Sequence, residues 1–164
     1  MRPVVARIGG VRASMKNALD LCERGHLVGV FPEGLRGVGK PYRERYRLTN
    51  FGRGGFVRLA RTAKVPIIPV AIVGAEEAHP VVAKLTRIAK PFGLPYIPIT
   101  PTFPLLGLVG LLPVPAKWSI QIGAPISPMA QSDDDTLEVA EQVRSVVDRM
   151  IADLLLERRS IFFG

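Results

Sequence analysis

The chain has 164 residues, 48% of them apolar, which suits one domain with a substantial core. Lys and Arg number 22 against 14 Asp and Glu, a formal charge of +8, so the surface should attract phosphate in nucleic acid, lipid headgroups or a nucleotide-bearing cofactor. The single cysteine, Cys22, excludes an intramolecular disulfide and suits a reducing compartment, and one Cys with two His gives no ligand set for a structural zinc site.

The opening Met-Arg-Pro-Val-Val-Ala-Arg lacks the apolar core of a signal peptide, and Val4 to Ile8 reads as a short strand ended by Gly9-Gly10. Ser14 is a helix N-cap, followed by Met15, Ala18, Leu19 and Cys22 at helical spacing before Gly25 closes the helix. Leu27 to Phe31 is wholly apolar with a β-branched bias and predicts a buried strand. Phe31-Pro32-Glu33-Gly34 ends it, with Pro32 and Gly34 fixing the turn around a carboxylate. In a crossover fold, ligands collect at the carboxyl ends of strands. Glu33 is therefore a candidate site residue, with an ordinary loop glutamate as the bland alternative.

From Arg36 to Lys64 nine cations (Arg36, Lys40, Arg43, Arg45, Arg47, Arg53, Arg58, Arg61 and Lys64) face one acid, Glu44. Charge runs are commonly solvated faces. Here Arg43, Arg45 and Arg47 alternate with Tyr42, Glu44 and Tyr46, so an extended strand would show three guanidinium groups on one side, suited to phosphate. Gly52-Arg53-Gly54-Gly55 introduces a helix marked by Phe56, Leu59 and Ala60; its amides could meet an anion, although no P-loop Gly-Lys-Ser/Thr is present.

Val65 to Val73 predicts a second buried strand ended by Gly74. Strand, loop, helix and strand form a parallel crossover unit. The expected fold is a single α/β domain over residues 1–164, with a mostly parallel central sheet flanked by helices. Pro91 to Ala116 carries no charge and seven prolines, which argue for an extended path and against a spanning helix. It is either a membrane- or acyl-chain-facing surface centred on Leu105 to Leu112, or a wrap over the sheet. Lys117 to Ile122 predicts a further strand. Ser132 and Asp133-Asp134-Asp135 start a closing helix with Leu137, Val143, Val147, Met150, Ile151 and Leu154 on one face and Arg158-Arg159 at its end.

Proton-transfer chemistry has few candidates. No Gly-x-Ser-x-Gly elbow occurs, Cys22 lies on an apolar helix face, and neither His26 nor His79 has an Asp five residues on, where Phe31 and Lys84 stand. A nucleic-acid surface rests on net charge alone, since only Tyr42 and Tyr46 interleave with the cations. No nucleic-acid partner is expected.

Phe31-Pro32-Glu33-Gly34-Leu35-Arg36 resembles the third block of the glycerolipid and lysophospholipid acyltransferases. Val65-Pro66-Ile67-Ile68-Pro69-Val70 resembles their fourth block, and Ile8 to Ser14 with Asn17-Ala18 the second, notably in the branch akin to monoacylglycerol and diacylglycerol acyltransferases. Gly55-Phe56-Val57-Arg58-Leu59-Ala60, Gly74-Ala75-Glu76-Glu77 and Pro101-Thr102-Phe103-Pro104 are further echoes of that branch. The likeness runs from about residue 5 to residue 126. It implies transfer of a fatty acyl group from acyl-CoA or an acyl carrier protein, as co-substrate, to a hydroxyl of a lysophospholipid or acylglycerol, without metal or other cofactor. Glu33 and Gly34 would correspond to the acceptor site, Arg36 to a phosphate or head-group contact, and Arg12 to a phosphate-binding arginine, with Ser14 as the alternative equivalent. Gly37 stands where the family often has serine.

The family's first block, H-x-x-x-x-D, supplies the general base and the acid that orients it. The sequence holds no such pair, so the resemblance implies a domain incomplete at its N-terminus and inactive alone, with no catalytic residue to assign. The alternative is a non-catalytic lipid- or acyl-CoA-binding relative. Either would sit peripherally on an anionic membrane, at the cytoplasmic face, without a signal peptide or spanning helix.

Overall fold

The structure, a computed structural model, describes residues 10, 11, 13–37, 40–49, 51, 54–89, 91, 93, 96–128 and 135–161, the side chains of Leu35 and Arg36 excepted. The strand expected over Val4 to Ile8, the arginines at 12 and 53, and the acids at 133 and 134 lie outside these residues.

The first helix, α1 (Met15–Glu23), starts where expected. Ser14 is extended and its hydroxyl accepts the Asn17 N–H at 3.2 Å, which satisfies one donor of the open first turn. Residues 27–31 follow without strand pairing among the described residues, and Leu27 is 96% and Phe31 81% exposed. Among the described residues the buried strand expected here is not formed. An apolar β-branched run signals strand propensity, but burial depends on a partner that local composition does not name.

A two-stranded sheet carries the core. Strand β1 (Val70–Val73) pairs antiparallel with β4 (Ser119–Ile122), with Val70 opposite Ile122 and Val73 opposite Ser119, and an isolated bridge joins Ile67 to Ile126. Strand alternation sends Ala71 and Val73 inward, where they pack on Val147, Met150 and Ile151 of the C-terminal helix α6 (Thr136–Glu157). Val70, Ile72, Ile120 and Ile122 line the opposite, exposed face. A second antiparallel pair joins β2 (Ala83–Leu85) to β3 (Ile97–Ile99).

The α/β class holds, yet every ladder among the described residues is antiparallel rather than parallel. β1 takes its partner from β4, which returns after the proline-rich segment, and not from residues 27–31. Helix α3 (Gly55–Ala63) buries Val57, Leu59 and Ala60, and Val57 packs with Val139 and Ala140 of α6. Gly54 caps α3, its carbonyl accepting the Val57 and Arg58 N–H groups at 3.0 and 3.1 Å. Leu137, expected on the core face of α6, is exposed; Val139 and Ala140 supply that turn's buried surface. Among the described residues no helix is long and apolar enough to cross a membrane.

Candidate functional site

Glu33 stands immediately before α2 (Gly34–Gly37), the single turn that follows the proline. Its carboxylate faces inward. Oε1 accepts from the Thr49 hydroxyl at 2.9 Å and from the Thr49 backbone N–H, and Lys40 Nζ lies 3.5 Å from both carboxylate oxygens. The same ammonium is 3.2 Å from Glu76 Oε1 and donates to the Arg47 carbonyl at 2.6 Å. Only 8% of the Lys40 side chain is exposed. A cation so placed needs counter-charge, and the two carboxylates supply it.

Gly37 makes this arrangement possible. A Cβ there would lie 2.5 Å from Glu33 Oε2 and 2.6 Å from Glu33 Cβ, and the second atom cannot swing aside without moving the turn. Gly37→Ala should therefore displace the carboxylate and lower stability by about 1–3 kcal/mol, the usual cost of overpacking, read from the urea midpoint.

The network continues from Glu76. This residue and Glu77 occupy α4 (Ala75–Ala78), which begins at Gly74 as β1 ends. Glu76 Oε2 accepts the Tyr46 N–H at 2.6 Å, and the Tyr46 hydroxyl donates to Glu77. These two bonds hold Tyr46 at φ +66, a conformation that bulky residues rarely adopt. Glu77 pairs with Arg158, whose Nη1 is 2.6 Å from Oε2 and 2.8 Å from Oε1, with side-chain exposures of 1% and 4%. Arg158 also donates to the Lys117 carbonyl at 2.6 Å and the Ile161 carbonyl at 3.2 Å. A polar chain thus runs from the end of α6 through Glu77, Tyr46, Glu76 and Lys40 to Glu33. Burial raises the pKa of Glu76, and Lys40 opposes that shift by charge and hydrogen bond.

The basic segment differs from its expected form. Tyr42–Glu44 is a 3-10 turn and Tyr46 has positive φ, so Arg43, Arg45 and Arg47 do not line one side of a strand. Arg45 lies over the Tyr42 and Tyr46 rings, 4.4 and 5.2 Å from their centroids, and Arg43 pairs with Glu44 at 3.6 Å. Arg61 holds the Pro128 carbonyl at 2.7 Å and the Thr136 hydroxyl at 2.9 Å. Several of the nine cations are therefore occupied in holding the fold.

Of the sequence-derived site residues, Gly34 is exposed at the mouth of the turn with φ +57, and Arg36 belongs by its backbone to the same turn. Arg12 lies outside the described residues. Sequence reasoning left out Lys40 as a clamp and Thr49 altogether. Nothing separates Lys40 from its eight basic neighbours in the sequence, because its role depends on Glu76 arriving from another element. His79 places Nε2 2.9 Å from the Leu111 carbonyl, a structural contact, and Cys22 is half-buried.

Residues 5–73, with the Glu33 turn inside them, match the family described as Acyltransferase. That segment is where the chain's likeness to the acyltransferases lies. Uncharacterized proteins of Mycobacterium tuberculosis and Mycobacterium bovis are 46% identical to it over 164 residues, spanning 96% of this chain and 46% of theirs. A Mycobacterium leprae protein is 45% identical over 166 residues, covering 98% and 45%. The chain thus spans about half the length of these relatives. Its fold resembles the crystal structure of the 1-acyl-sn-glycerophosphate (LPA) acyltransferase PlsC from Thermotoga maritima, with TM-score 0.61 and 21% identity, covering 95% of this chain and 51% of that one.

Proposed function

We propose that this chain is an acyltransferase-family member, the acceptor-binding and core part of an enzyme acylating a lysophospholipid or acylglycerol. Acyl-CoA or an acyl carrier would be the donor, and the work would be done at an anionic membrane surface, on its cytoplasmic face. The observation that carries this reading is the clamped turn inside the matched segment. Glu33 is held by Lys40 and Thr49, which pre-forms the turn bearing Gly34 and Arg36 before any ligand arrives. In this reading Glu33 is a positioning residue, and Arg36 with the Gly34 edge receives the polar head. The likeness to a fold described as an LPA acyltransferase supports a phosphorylated acceptor.

In the reaction, an acceptor hydroxyl oxygen adds to the thioester carbonyl and the C–S bond then breaks. The hydroxyl proton passes to a base and on to the departing thiolate. These 164 residues hold no H-x-x-x-x-D pair, so the reading assigns them binding and not proton transfer. The same observation favours a second reading, a lipid- or acyl-CoA-binding protein without catalysis.

Calorimetric titration with a short-chain lysophosphatidate tests both, since each requires binding. Saturable binding is expected, weakened tenfold or more by Arg36→Ala, because a charge-assisted hydrogen bond contributes about 1.5–3 kcal/mol. Unchanged affinity in that variant overturns the assignment of the head group to this turn. Transfer of labelled acyl groups by the 164-residue chain alone would overturn the placement of the base.

A further inference from the structure

Residues 101–114 form a tightly bonded projection with its apolar side chains outermost. The Leu106 N–H donates to the Thr102 carbonyl at 2.8 Å, Gly107 N–H to Pro104 at 2.9 Å, and Leu112 N–H to Val109 at 3.0 Å. The Thr102 hydroxyl donates to the Gly110 carbonyl at 2.9 Å. His79 and the Val114 N–H, bonded to Leu111 and Ala78, pin the projection's return to α4. Gly110 is buried where any Cβ would collide with the Thr102 carbonyl, so the two limbs can close only around glycine. What this framework presents is unusual: Leu105 is 85% and Leu108 81% exposed, with Leu106, Val109 and Leu112 exposed beside them. A leucine ridge on a backbone that satisfies its own hydrogen bonds is suited to a medium where unpaired backbone is costly.

The sequence on either side of the ridge carries charge of one sign. From Ala78 to Ser132 the sequence contains no Asp or Glu, while Lys84, Arg87, Lys90 and Lys117 are cationic. Lys84 lies on β2, in the small sheet whose β3 leads into the projection, with Nζ 4.9 Å over the Tyr96 ring, and Arg87 is exposed in the following helical turn, α5 (Thr86–Ala89). Val82, Leu85 and Ile88, on or beside the elements that carry Lys84 and Arg87, are exposed as well. Apolar insertion and attraction to anionic headgroups strengthen interfacial binding together. A protein partner would more commonly meet an apolar centre rimmed by charges of both signs.

We infer that the ridge from Leu105 to Leu112 is the element by which this chain docks on an anionic lipid bilayer, its leucines entering the interface while Lys84 and Arg87 meet the headgroups. The inference builds on the lipid-acting reading of the Glu33 turn but uses different residues, so the two can fail separately. In cosedimentation with phosphatidylglycerol-containing vesicles, the chain should bind, more weakly in high salt or with phosphatidylcholine alone. Leu105→Asp and Leu108→Asp should each lower partitioning about tenfold or more, the scale set by burying a leucine. Both positions are solvent-facing, so the helical circular dichroism should not change. Leu156→Asp, at an equally exposed leucine on α6, should leave partitioning unchanged. None of these variants should alter binding of a water-soluble lysophosphatidate. No vesicle binding by the wild-type chain, or equal loss from Leu156→Asp, overturns the inference. So does a concentration-dependent dimer dissociated by Leu108→Asp in a chain that ignores vesicles.

Discussion

Arg158→Met should lower folding stability by about 3–5 kcal/mol, the range expected when one member of a buried ion pair is removed. Glu77 is the reason. Its carboxylate is almost wholly buried, and without the guanidinium it keeps only the Tyr46 hydroxyl as a described partner. The ionised form must then be held in the interior or neutralised at the expense of folding. Arg158 was legible as a charge at a helix C-terminus, worth a few tenths of a kcal/mol up to about 1. Its observed contacts are instead with α4 and the carbonyls of Lys117 and Ile161, which predicts a far larger loss. Urea denaturation of the single variant and of Glu77→Gln/Arg158→Met separates these cases. The double variant should recover much of the deficit, because it no longer buries an unpaired charge. A single-variant loss below about 1 kcal/mol would return Arg158 to a helix-end role.

Lys40→Met should cost about 2–3 kcal/mol at neutral pH, less than a fully buried pair because Glu33 and Glu76 retain some contact with water. The variant leaves two carboxylates facing one another with no ammonium between them. Glu76 already has a raised pKa, from burial first and from Glu33 in part, and removing Lys40 removes the main opposing influence. The sign follows from proton linkage. A carboxyl whose folded pKa exceeds its unfolded value binds more protons when folded, so stability falls as pH rises from the ordinary Glu value of 4.5 through the raised one. The Lys40→Met deficit should therefore be largest at neutral pH and shrink as Glu76 protonates on acidification. Denaturation midpoints across pH 4–7 read this directly. A deficit that does not vary with pH would mean that Lys40 acts by packing its stem rather than by charge.

Local signals in the sequence located the elements built from local rules. The Ser14 cap, the stop at Gly74 and the apolar periodicity of α6 from Val143 to Ile151 each depend on neighbours within a turn or two. The turn at Glu33 was visible because proline and glycine bracket it. Pairing was less legible: β1 could have joined residues 27–31 in parallel, and which strand claims its edge is decided at long range by β4. The basic run misled for a related reason. A regular alternation of Arg and Tyr suggests a strand, but Arg45 gains two aromatic faces when the chain turns, and Tyr46 gains two acids. Counting cations could not show that Lys40 belongs to the scaffold of the site. Gly37, read as a departure from the family pattern, is where the Glu33 carboxylate needs room.

The central claim is that the turn clamped by Glu33, Lys40 and Thr49 receives a polar lipid head. Following backbone amide resonances during addition of a short-chain lysophosphatidate addresses it most directly. Saturable shifts centred on Gly34 and Gly37, spreading to Thr49, with Val147 to Ile151 in the core unmoved, are the predicted result. Saturation with shifts confined to another surface, or no shifts at all, would contradict it.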